Sequence, residues 1–125
     1  MEKELILKEG TDVEKMVIAP GVRVGDVIYV SGSAGAKDGE LAGDDIESQA
    51  RQAMENLGEV LEAAGSSWDK VFKLNCYLTE AARDFQGWNK VFKEYFPEDP
   101  PARTTVGAQI AMEGALIEVE LIALA

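Results

Sequence analysis

The sequence of 125 residues contains no histidine and one cysteine, Cys76. Without histidine, the chain has no imidazole that can serve as a general base or as a metal ligand. Neither a Ser/His/Asp nor a Cys/His arrangement can be built, and a single cysteine permits no internal disulfide and no CxxC pair. Any catalysis by this chain must therefore rely on other side chains, and we expect no metal site.

Basic residues are also scarce, because 12 lysines and arginines stand against 23 aspartates and glutamates, for a formal net charge of −11. The basic residues are scattered along the chain rather than clustered. Nucleic-acid binding draws its affinity from a basic patch that releases counterions, so a phosphate backbone is repelled on average by such a chain. We therefore predict no nucleic-acid partner.

Long apolar runs are absent as well, since no stretch approaches the roughly 18 uninterrupted apolar residues of a membrane span. The N-terminal sequence MEKELILKEG carries charges where a signal peptide has its apolar segment. We therefore expect a cytoplasmic protein without a membrane partner. With 46% hydrophobic and 28% charged residues, the chain is long enough for one domain with one core, which we assign to residues 1–125.

The first third of the chain reads as strands and loops. A strand is predicted around residues 4–7, and the sequence VRVGDVIYVSG at residues 22–32 predicts a hairpin that turns at Gly25 and Asp26. The second strand of this hairpin is expected to end at Ser31 and Gly32. The glycine-rich sequence that follows, up to residue 44, is expected to be a loop.

A helix of about five turns is predicted after this loop, from apolar residues at three- and four-residue spacing. The apolar positions are Ile46, Ala50, Ala53, Leu57, Val60, Leu61 and Ala64. Asp44 and Glu47 have the spacing of a capping box at its start, and Gly65 is suited to its end.

The second half alternates between strands and a further helix. Residues 70–80 predict a strand with Phe72, Leu74, Cys76 and Leu78 on one face. The next helix is expected to bury aromatic residues and to end at Pro97. These aromatic residues are Phe85, Trp88, Phe92 and either Tyr95 or Phe96. A closing strand pair is predicted at residues 102–110 and 115–125, joined by residues 112–114.

This order of elements predicts an α+β domain whose helices pack on one face of a mixed sheet. If Ile117, Val119 and Leu121 face the helices, the other face of the last strand carries Leu116, Glu118, Glu120, Ile122 and Leu124. That second face is too apolar for water, so we expect it to be covered by another copy of the chain.

Several segments, in order, resemble the RidA/YjgF family of reactive-intermediate deaminases. They are VRVGDVIYVSG, the helix sequence ENLGEVLEAAG, PPARTTVG at residues 100–107 and GALIEVELIAL at residues 114–124. The resemblance covers nearly all of the chain after the first twenty residues. It implies a chorismate-mutase-like α+β fold, with a mixed six-stranded sheet and both helices on one face, assembled as a homotrimer with active-site clefts between subunits.

The same resemblance implies an activity. Catalytic members of the family hydrolyse 2-imino and 2-enamino acids, such as 2-iminopropanoate and 2-iminobutanoate, to 2-keto acids and ammonia. They use neither a metal nor an organic cofactor, and their substrates are released by pyridoxal-phosphate-dependent enzymes. The lack of histidine in this chain fits such chemistry.

Two residues of the family motifs carry the predicted chemistry. Arg103 matches the arginine that binds the substrate, and a planar guanidinium can grip a carboxylate with parallel hydrogen bonds. The alternative is an ion pair between Arg103 and Glu118, Glu120 or a neighbouring acid. Glu118 matches the glutamate that orients water, because a carboxyl group can relay protons in the hydrolysis of a C=N bond. Its alternative is a salt bridge at a subunit interface, and Glu120 is assigned a structural role.

Four further residues are expected to line the cleft through the same resemblance. Ser31 and Gly32 match a loop whose backbone borders the pocket, although a plain strand-ending turn is an equally good interpretation. Asn89 matches a family asparagine that can alternatively cap or bridge backbone groups. Thr105 lies where many members have a cysteine whose backbone helps to bind substrate.

One departure from the family keeps other functions open. Members that act on small imino acids often have a tyrosine before the first strand pair, whereas this chain has Ile18 at roughly that position. A non-catalytic trimer that binds a small carboxylate as a regulator, or a chaperone-like holdase, is therefore the second hypothesis. An endoribonuclease, a role attached to parts of the family, is the third, because the charge and the lack of histidine disfavour it.

Overall fold

Eight strands and two α-helices make up the computed structural model, which describes residues 1–125. The strands are β1 (Lys3–Ile6), β2 (Gly21–Val24), β3 (Val27–Ala34), β4 (Ala36–Lys37), β5 (Glu40–Leu41), β6 (Val71–Leu78), β7 (Ala102–Gly107) and β8 (Ile117–Leu124). The helices are α1 (Ile46–Ala63) and α2 (Ala81–Tyr95), and a 3₁₀ turn at Trp68–Lys70 precedes β6.

Six of the strands form one mixed sheet in the order β1-β2-β3-β8-β6-β7. All neighbours are antiparallel except β6 and β7, which are parallel. The predicted α+β class and the mixed sheet are thus confirmed. The predicted closing strand pair is wrong, because β8 lies between β3 and β6 while β7 pairs only with β6. Parallel neighbours need a crossover, which α2 supplies, and β7 is left with a free edge.

Helix α1 ends as predicted but begins one residue later. Its N-cap is Asp45 rather than Asp44, and the Asp45 carboxylate accepts a hydrogen bond of 3.0 Å from the Ser48 amide. Hydrogen bonding from the Ser48 side chain, together with this bond from its amide, lowers the pKa of Asp45. At the other end, Gly65 has a φ of 74°, which favours glycine, and the Ser66 amide donates to the Leu61 carbonyl at 2.9 Å. This is the Schellman arrangement that glycine permits after a helix.

The glycine-rich segment after Gly32 contains more structure than the predicted loop. β3 continues to Ala34, and β4 and β5 form a small hairpin. The turn of this hairpin uses Asp38 and Gly39, both with positive φ values. The sequence could not show this extension because β3 gains its length from pairing with β8, far along the chain.

Strand β6 confirms Leu74, Cys76 and Leu78 as buried and corrects Phe72. The pairing of β6 with β8 shifts between Val71 and Lys73, so the strict alternation breaks there. As a result Val71 is buried and Phe72 is 43% exposed.

Helix α2 packs Trp88 and Val91 into the core, and Phe96 at its end is also buried. Phe92 and Tyr95 pack against the core from partly buried positions. Phe85 departs from the prediction, because it is 39% exposed at the rim of this aromatic group.

The two faces of the sheet differ as the last strand predicted. The core-facing residues of β8 are buried against the helices; they are Ile117, Val119, Leu121 and Ala123. On the open face, Tyr29 is paired with Ile122, and Leu124 with Val27. Tyr29 and Leu124 are each 50% exposed. We call this group, with Leu5 and Val22 of the neighbouring strands, the apolar patch; no helix of the chain covers it.

Candidate active site

Arg103 lies on the free-edge strand β7, on the face of the sheet that the helices cover. It is paired with the buried Leu74 of β6, and paired residues of parallel strands point to the same side. Its guanidinium carbon is 4.6 Å from the centre of the Phe92 ring, 5.6 Å from that of Phe85 and 5.9 Å from that of Trp88. All three distances fall within the range of cation–π attraction.

No carboxylate or other acceptor contacts the Arg103 guanidinium. The other three arginines all donate: Arg23 to the Ala64 carbonyl, Arg51 to Glu94 and Glu47, and Arg83 to Asp84. The ion pair between Arg103 and Glu118 or Glu120, which the sequence left open, does not form within the chain. In a chain with 23 acidic residues, this leaves one guanidinium with free N–H donors.

The backbone next to Arg103 offers a further donor. The Ala108 amide donates to the Leu78 carbonyl of β6 at 3.0 Å. Because backbone groups alternate in direction along a strand, the amides of Arg103 and Thr105 point to the free edge of the sheet instead. The sequence suggested that Thr105 acts through its backbone, and this amide is in a position to do so.

The Thr105 side chain points into the protein interior. Its hydroxyl oxygen is buried and has no hydrogen-bond partner, and the same is true of the indole nitrogen of Trp88. Thr105 is paired with the buried Cys76 across β6 and β7, and Thr105, the Arg103 charge and Trp88 act to lower the pKa of the Cys76 thiol. Burial outweighs them and raises the pKa of Cys76 to about 11. Cys76 is therefore a neutral thiol of the core, and not a nucleophile.

Asn89 lies on α2 on the same side as two of the rings around Arg103. It is four residues after Phe85 and three before Phe92, spacings that place side chains next to one another on a helix. Its side chain is partly buried and makes no hydrogen bond within the chain, so the predicted capping or bridging alternative is not seen. We call Asn89, Arg103 and the Thr105 amide the arginine half-site.

Glu118 lies on the open face of the sheet, paired with Ala34 of β3 and Tyr77 of β6. It makes no ion pair and accepts no hydrogen bond within the chain. Glu120, two residues on, accepts a hydrogen bond of 2.8 Å from the Tyr77 hydroxyl. This bond raises the pKa of Tyr77. The two glutamates therefore differ, because Glu120 is held in the structure and Glu118 is free.

Gly32 makes room for the Glu118 carboxylate. A Cβ atom at this glycine would lie 3.1 Å from Glu118 Oε2, closer than such atoms usually approach. Gly32 falls where the β3–β8 register shifts, between Val30 and Ser33. The strand-ending turn that the sequence allowed here is wrong, because β3 runs through Gly32 to Ala34.

Ser31 holds the segment that precedes β2 against β3 through two hydrogen bonds. Its amide donates to the Pro20 carbonyl at 3.0 Å, and its hydroxyl to the Ala19 carbonyl at 2.6 Å. A cavity of about 210 Å³ lies beside these contacts, lined by residues 18–20, residues 31–33 and side chains of α1. Ile18 is 68% exposed there. We call Ser31, Gly32 and Glu118 the glutamate half-site.

Sequence reasoning missed two amide side chains that hold this half-site in place. Gln49 is buried; its Nε2 donates to the Gly43 carbonyl at 2.8 Å, and its Oε1 accepts from the Leu116 amide at 2.7 Å. Asn56 donates to the Ala36 carbonyl at 2.8 Å and to Ser33 Oγ at 3.1 Å. The signal in the sequence is a pair of amide residues seven positions apart along the buried stripe of α1.

The structure does not bring the two half-sites together. Arg103 is on the helix-covered face at the outer edge, and Glu118 is on the open face, with β6 between their strands. A ligand bound by Arg103 is thus out of reach of the Glu118 carboxylate of the same chain.

A six-stranded mixed sheet covered by helices on one face, with a guanidinium at its edge that pairs with no acid of the chain, defines a small α+β protein. The chain belongs to the Rid/YjgF family: residues 16–125 match the family described as Endoribonuclease L-PSP. The resemblance found in the sequence is thereby confirmed.

Related sequences and solved structures support this assignment. The chain is 45% identical over 105 residues to the protein mmf2, mitochondrial, of Schizosaccharomyces pombe, covering 82% of each chain. It is 34% identical over 105 residues to the human 2-iminobutanoate/2-iminopropanoate deaminase, covering 82% of this chain and 76% of that protein. A Rid-family protein of unknown function from Yersinia pestis, YyfA, has the same fold, with a TM-score of 0.90, 29% identity and coverage of 99% and 100% of the two chains.

The compartment of this protein stays a prediction. One relative is mitochondrial by its name, which differs from the cytoplasmic location expected from the sequence. Neither α-helix of the chain has the length and apolar character needed to span a bilayer.

Proposed function

We propose that this chain hydrolyses reactive 2-imino and 2-enamino acids, such as 2-iminopropanoate and 2-iminobutanoate, to 2-keto acids and ammonia. It would thereby remove intermediates that pyridoxal-phosphate enzymes release. The observation that carries the proposal is the unpaired Arg103 guanidinium beside a free backbone amide. The name of the human relative, which specifies deamination of these two imino acids, supports the choice of substrate.

Substrate binding is assigned to the arginine half-site. The substrate carboxylate accepts hydrogen bonds from the Arg103 guanidinium, which fixes both its charge and its orientation. The Thr105 amide supplies another donor at the sheet edge, and the Asn89 amide is available to the substrate nitrogen. No metal or organic cofactor is needed in this arrangement.

Glu118 is assigned the proton transfers. As a water oxygen bonds to the imine carbon, Glu118 accepts the proton that the water loses. The same carboxyl group returns this proton to the nitrogen, giving a carbon that bears one hydroxyl and one amino group. Glu118 then takes the hydroxyl proton and passes it to the amino nitrogen, so that the keto group forms, the carbon–nitrogen bond breaks and ammonia leaves. Imine hydrolysis already proceeds in water, so positioning and a single proton relay are sufficient.

The cleft is proposed to form between copies in a homotrimer, each copy a single domain of residues 1–125. Two features support this assembly. The arginine and glutamate half-sites lie on opposite faces of one sheet, and the apolar patch on the open face has no cover within the chain. Burying that patch on a second copy would remove it from water and place Glu118 of one copy next to Arg103 of its neighbour.

The proposal does not extend to ribonuclease activity, although the matched family carries that description. Most basic side chains contact acids or carbonyls, and the net charge of −11 opposes a phosphate backbone. A trimer that binds a small carboxylate without turnover, or that acts as a holdase, remains the alternative outcome of the test below.

The first experiment measures keto-acid release from 2-iminopropanoate and 2-iminobutanoate, generated in place by an amino-acid oxidase. Wild type, Arg103→Ala and Lys70→Ala are compared under the same imine supply, and oligomeric mass is measured for each. Lys70→Ala removes one positive charge outside both half-sites. We expect acceleration by wild type and Lys70→Ala and none by Arg103→Ala, with the mass unchanged.

The contrary results are equally clear. If the wild-type protein does not accelerate the reaction over spontaneous hydrolysis, the deaminase proposal is wrong and a binding role is favoured. Full activity in Arg103→Ala would remove Arg103 from the site.

A further inference from the structure

The Arg103 guanidinium is held in an unusual way for a partly buried charge. Removing a charge from water is costly unless it gains partners, and Arg103 has neither a carboxylate nor a carbonyl within hydrogen-bond reach. Its neighbours are the rings of Phe85, Trp88 and Phe92, at 5.6, 5.9 and 4.6 Å from the guanidinium carbon. We call these rings the aromatic cradle.

The cradle is rigid where it lies closest to the charge. Trp88 is fully buried, and its ring meets that of Phe92 edge to face, with centroids 5.6 Å apart. On the other side the Phe92 ring lies 4.9 Å from that of Phe96, which is also buried. Phe92 is therefore fixed between two buried rings, whereas Phe85 forms the exposed rim.

Rings and carboxylates act on different parts of a guanidinium. A carboxylate binds in the plane of the group and occupies its N–H donors. An aromatic ring attracts the cation through the face of its π system and takes up no donor. The cradle thus stabilises the charge of Arg103 and leaves its N–H groups for a ligand.

We propose that Phe85, Trp88 and above all Phe92 are positioning residues, which hold the Arg103 guanidinium so that its N–H edge faces the substrate carboxylate. This inference rests on the proposed function, because it assigns these rings a part in the same site. It accounts for a feature that core packing does not explain, namely that the single unpaired arginine is the one surrounded by rings. It also predicts that the rings affect substrate binding rather than proton transfer.

The decisive test weakens the π system of residue 92 without changing its shape. Mono-, di- and trifluorinated phenylalanine are placed at position 92, and kinetic constants for 2-iminobutanoate hydrolysis are measured. We expect KM, and the dissociation constant of the product 2-oxobutanoate, to rise stepwise by about two- to thirtyfold over the series, with kcat nearly constant. A role limited to packing would not follow the number of fluorine atoms.

Phe96 offers a matched control. It is buried in the same aromatic group but is not among the rings near Arg103. The same fluorinated series at position 96 should leave KM unchanged. Among ordinary variants, Phe92→Trp should retain affinity for 2-oxobutanoate and Phe92→Leu should lose it. Because the Phe92 side chain is only partly buried, both variants should lose little thermal stability.

A second readout needs no turnover. The Nε–H signal of Arg103 in NMR, assigned through Arg103→Lys, should be shifted by the rings and should return towards the ordinary arginine position in Phe92→Leu. An unshifted signal in wild type would overturn the cradle.

The failures of the two proposals can be told apart. A constant KM across the position-92 series, in an enzyme that Arg103→Ala inactivates, would overturn the cradle and leave the deaminase standing. If wild type shows no turnover, the deaminase fails. The NMR signal and titration of the fluorinated series with 2-oxobutanoate then decide the cradle alone.

Discussion

The arginine and glutamate half-sites keep a charge free by different means. At the sheet edge, rings of α2 surround Arg103 and stabilise its charge without occupying its donors. On the open face, Glu118 is free because Gly32 has no side chain to crowd it and because the neighbouring Tyr77 hydroxyl is bonded to Glu120. The arginine half-site depends on the packing of aromatic side chains, and the glutamate half-site depends on the absence of a side chain at Gly32.

The sheet also keeps the opposite charges of Arg103 and Glu118 apart within one chain. A direct ion pair between Arg103 and Glu118 would occupy the donors that a substrate carboxylate needs, so a working cleft requires both groups to face the substrate rather than to contact each other. Their placement on opposite faces of the sheet prevents that pairing within one copy. Each half-site can therefore be tested by itself, and the cleft that the two half-sites are proposed to form between copies can be tested separately.

The largest effect is expected from Glu118→Gln, which keeps the shape of the side chain but removes its capacity to relay protons. We expect kcat to fall by about 100- to 10,000-fold with little change in KM. Glu120→Gln is the matched control, since Glu120 is engaged with Tyr77, and it should keep most of the activity. Equal losses in the two variants would contradict the assignment of different roles to the two glutamates.

Mixing inactive variants tests directly whether the half-sites act across copies. Arg103→Ala and Glu118→Gln chains, unfolded together and refolded in equal amounts, should recover activity. Random assembly leaves about a quarter of the clefts with both native residues, so roughly a quarter of the wild-type rate is expected. The same chains refolded separately and then mixed serve as the control. No recovery would place both residues in one chain or outside the site.

A smaller effect is expected from Gly32→Ala, which probes the gap that keeps Glu118 free. The new methyl group would lie 3.1 Å from Glu118 Oε2 and displace the carboxylate. Because small displacements of a catalytic group are costly, kcat should fall by about tenfold while 2-oxobutanoate binding is retained. Gly58→Ala, whose methyl group would meet Trp68 at an ordinary 3.4 Å, should leave activity unchanged. An unaffected kcat in Gly32→Ala would show that the gap has no function.

The smallest effect concerns Cys76, which lies beneath the arginine half-site. Burial raises the pKa of its thiol from 9.0 to about 11, so the unfolded chain loses this proton at lower pH than the folded chain. The thiol therefore costs no stability below about pH 9, and stability falls as pH rises from there towards 11, by at most about 2–3 kcal/mol.

The measurement is urea unfolding at several pH values, with Cys76→Ala as the control for other groups that titrate in this range. The variant should show a shallower loss of stability above pH 9 than wild type. Identical slopes would contradict the assignment of a buried neutral thiol.

Much of the fold followed from local patterns. The apolar spacing of α1, its glycine stop, the first hairpin and the alternation in β8 all depend on neighbours within a few residues, and all are confirmed. The errors lie where distant segments interact. Phe72 is exposed because a register shift against β8 interrupts the alternation of β6, and the closing strands are separated because β8 inserts between β3 and β6.

The candidate site divides in the same way. The family motifs pointed to Arg103, Glu118, Ser31, Gly32, Asn89 and Thr105, and their roles remain predictions. Gln49 and Asn56 were missed because a helix pattern treats a buried amide as an exception. Their structural role becomes clear only from the backbone carbonyls and amides that they bind.

The sequence by itself determined the class of elements, the chemistry available without histidine, and the identity of the charged residues, because composition and short-range periodicity record these directly. Only the tertiary structure decided that Arg103 and Glu118 lie on opposite faces of the sheet. Alternation orders side chains within one strand, but the relative faces of two strands depend on register and pairing between segments far apart in the chain. The same long-range pairing placed Arg103 against the rings of α2 and left the apolar patch uncovered.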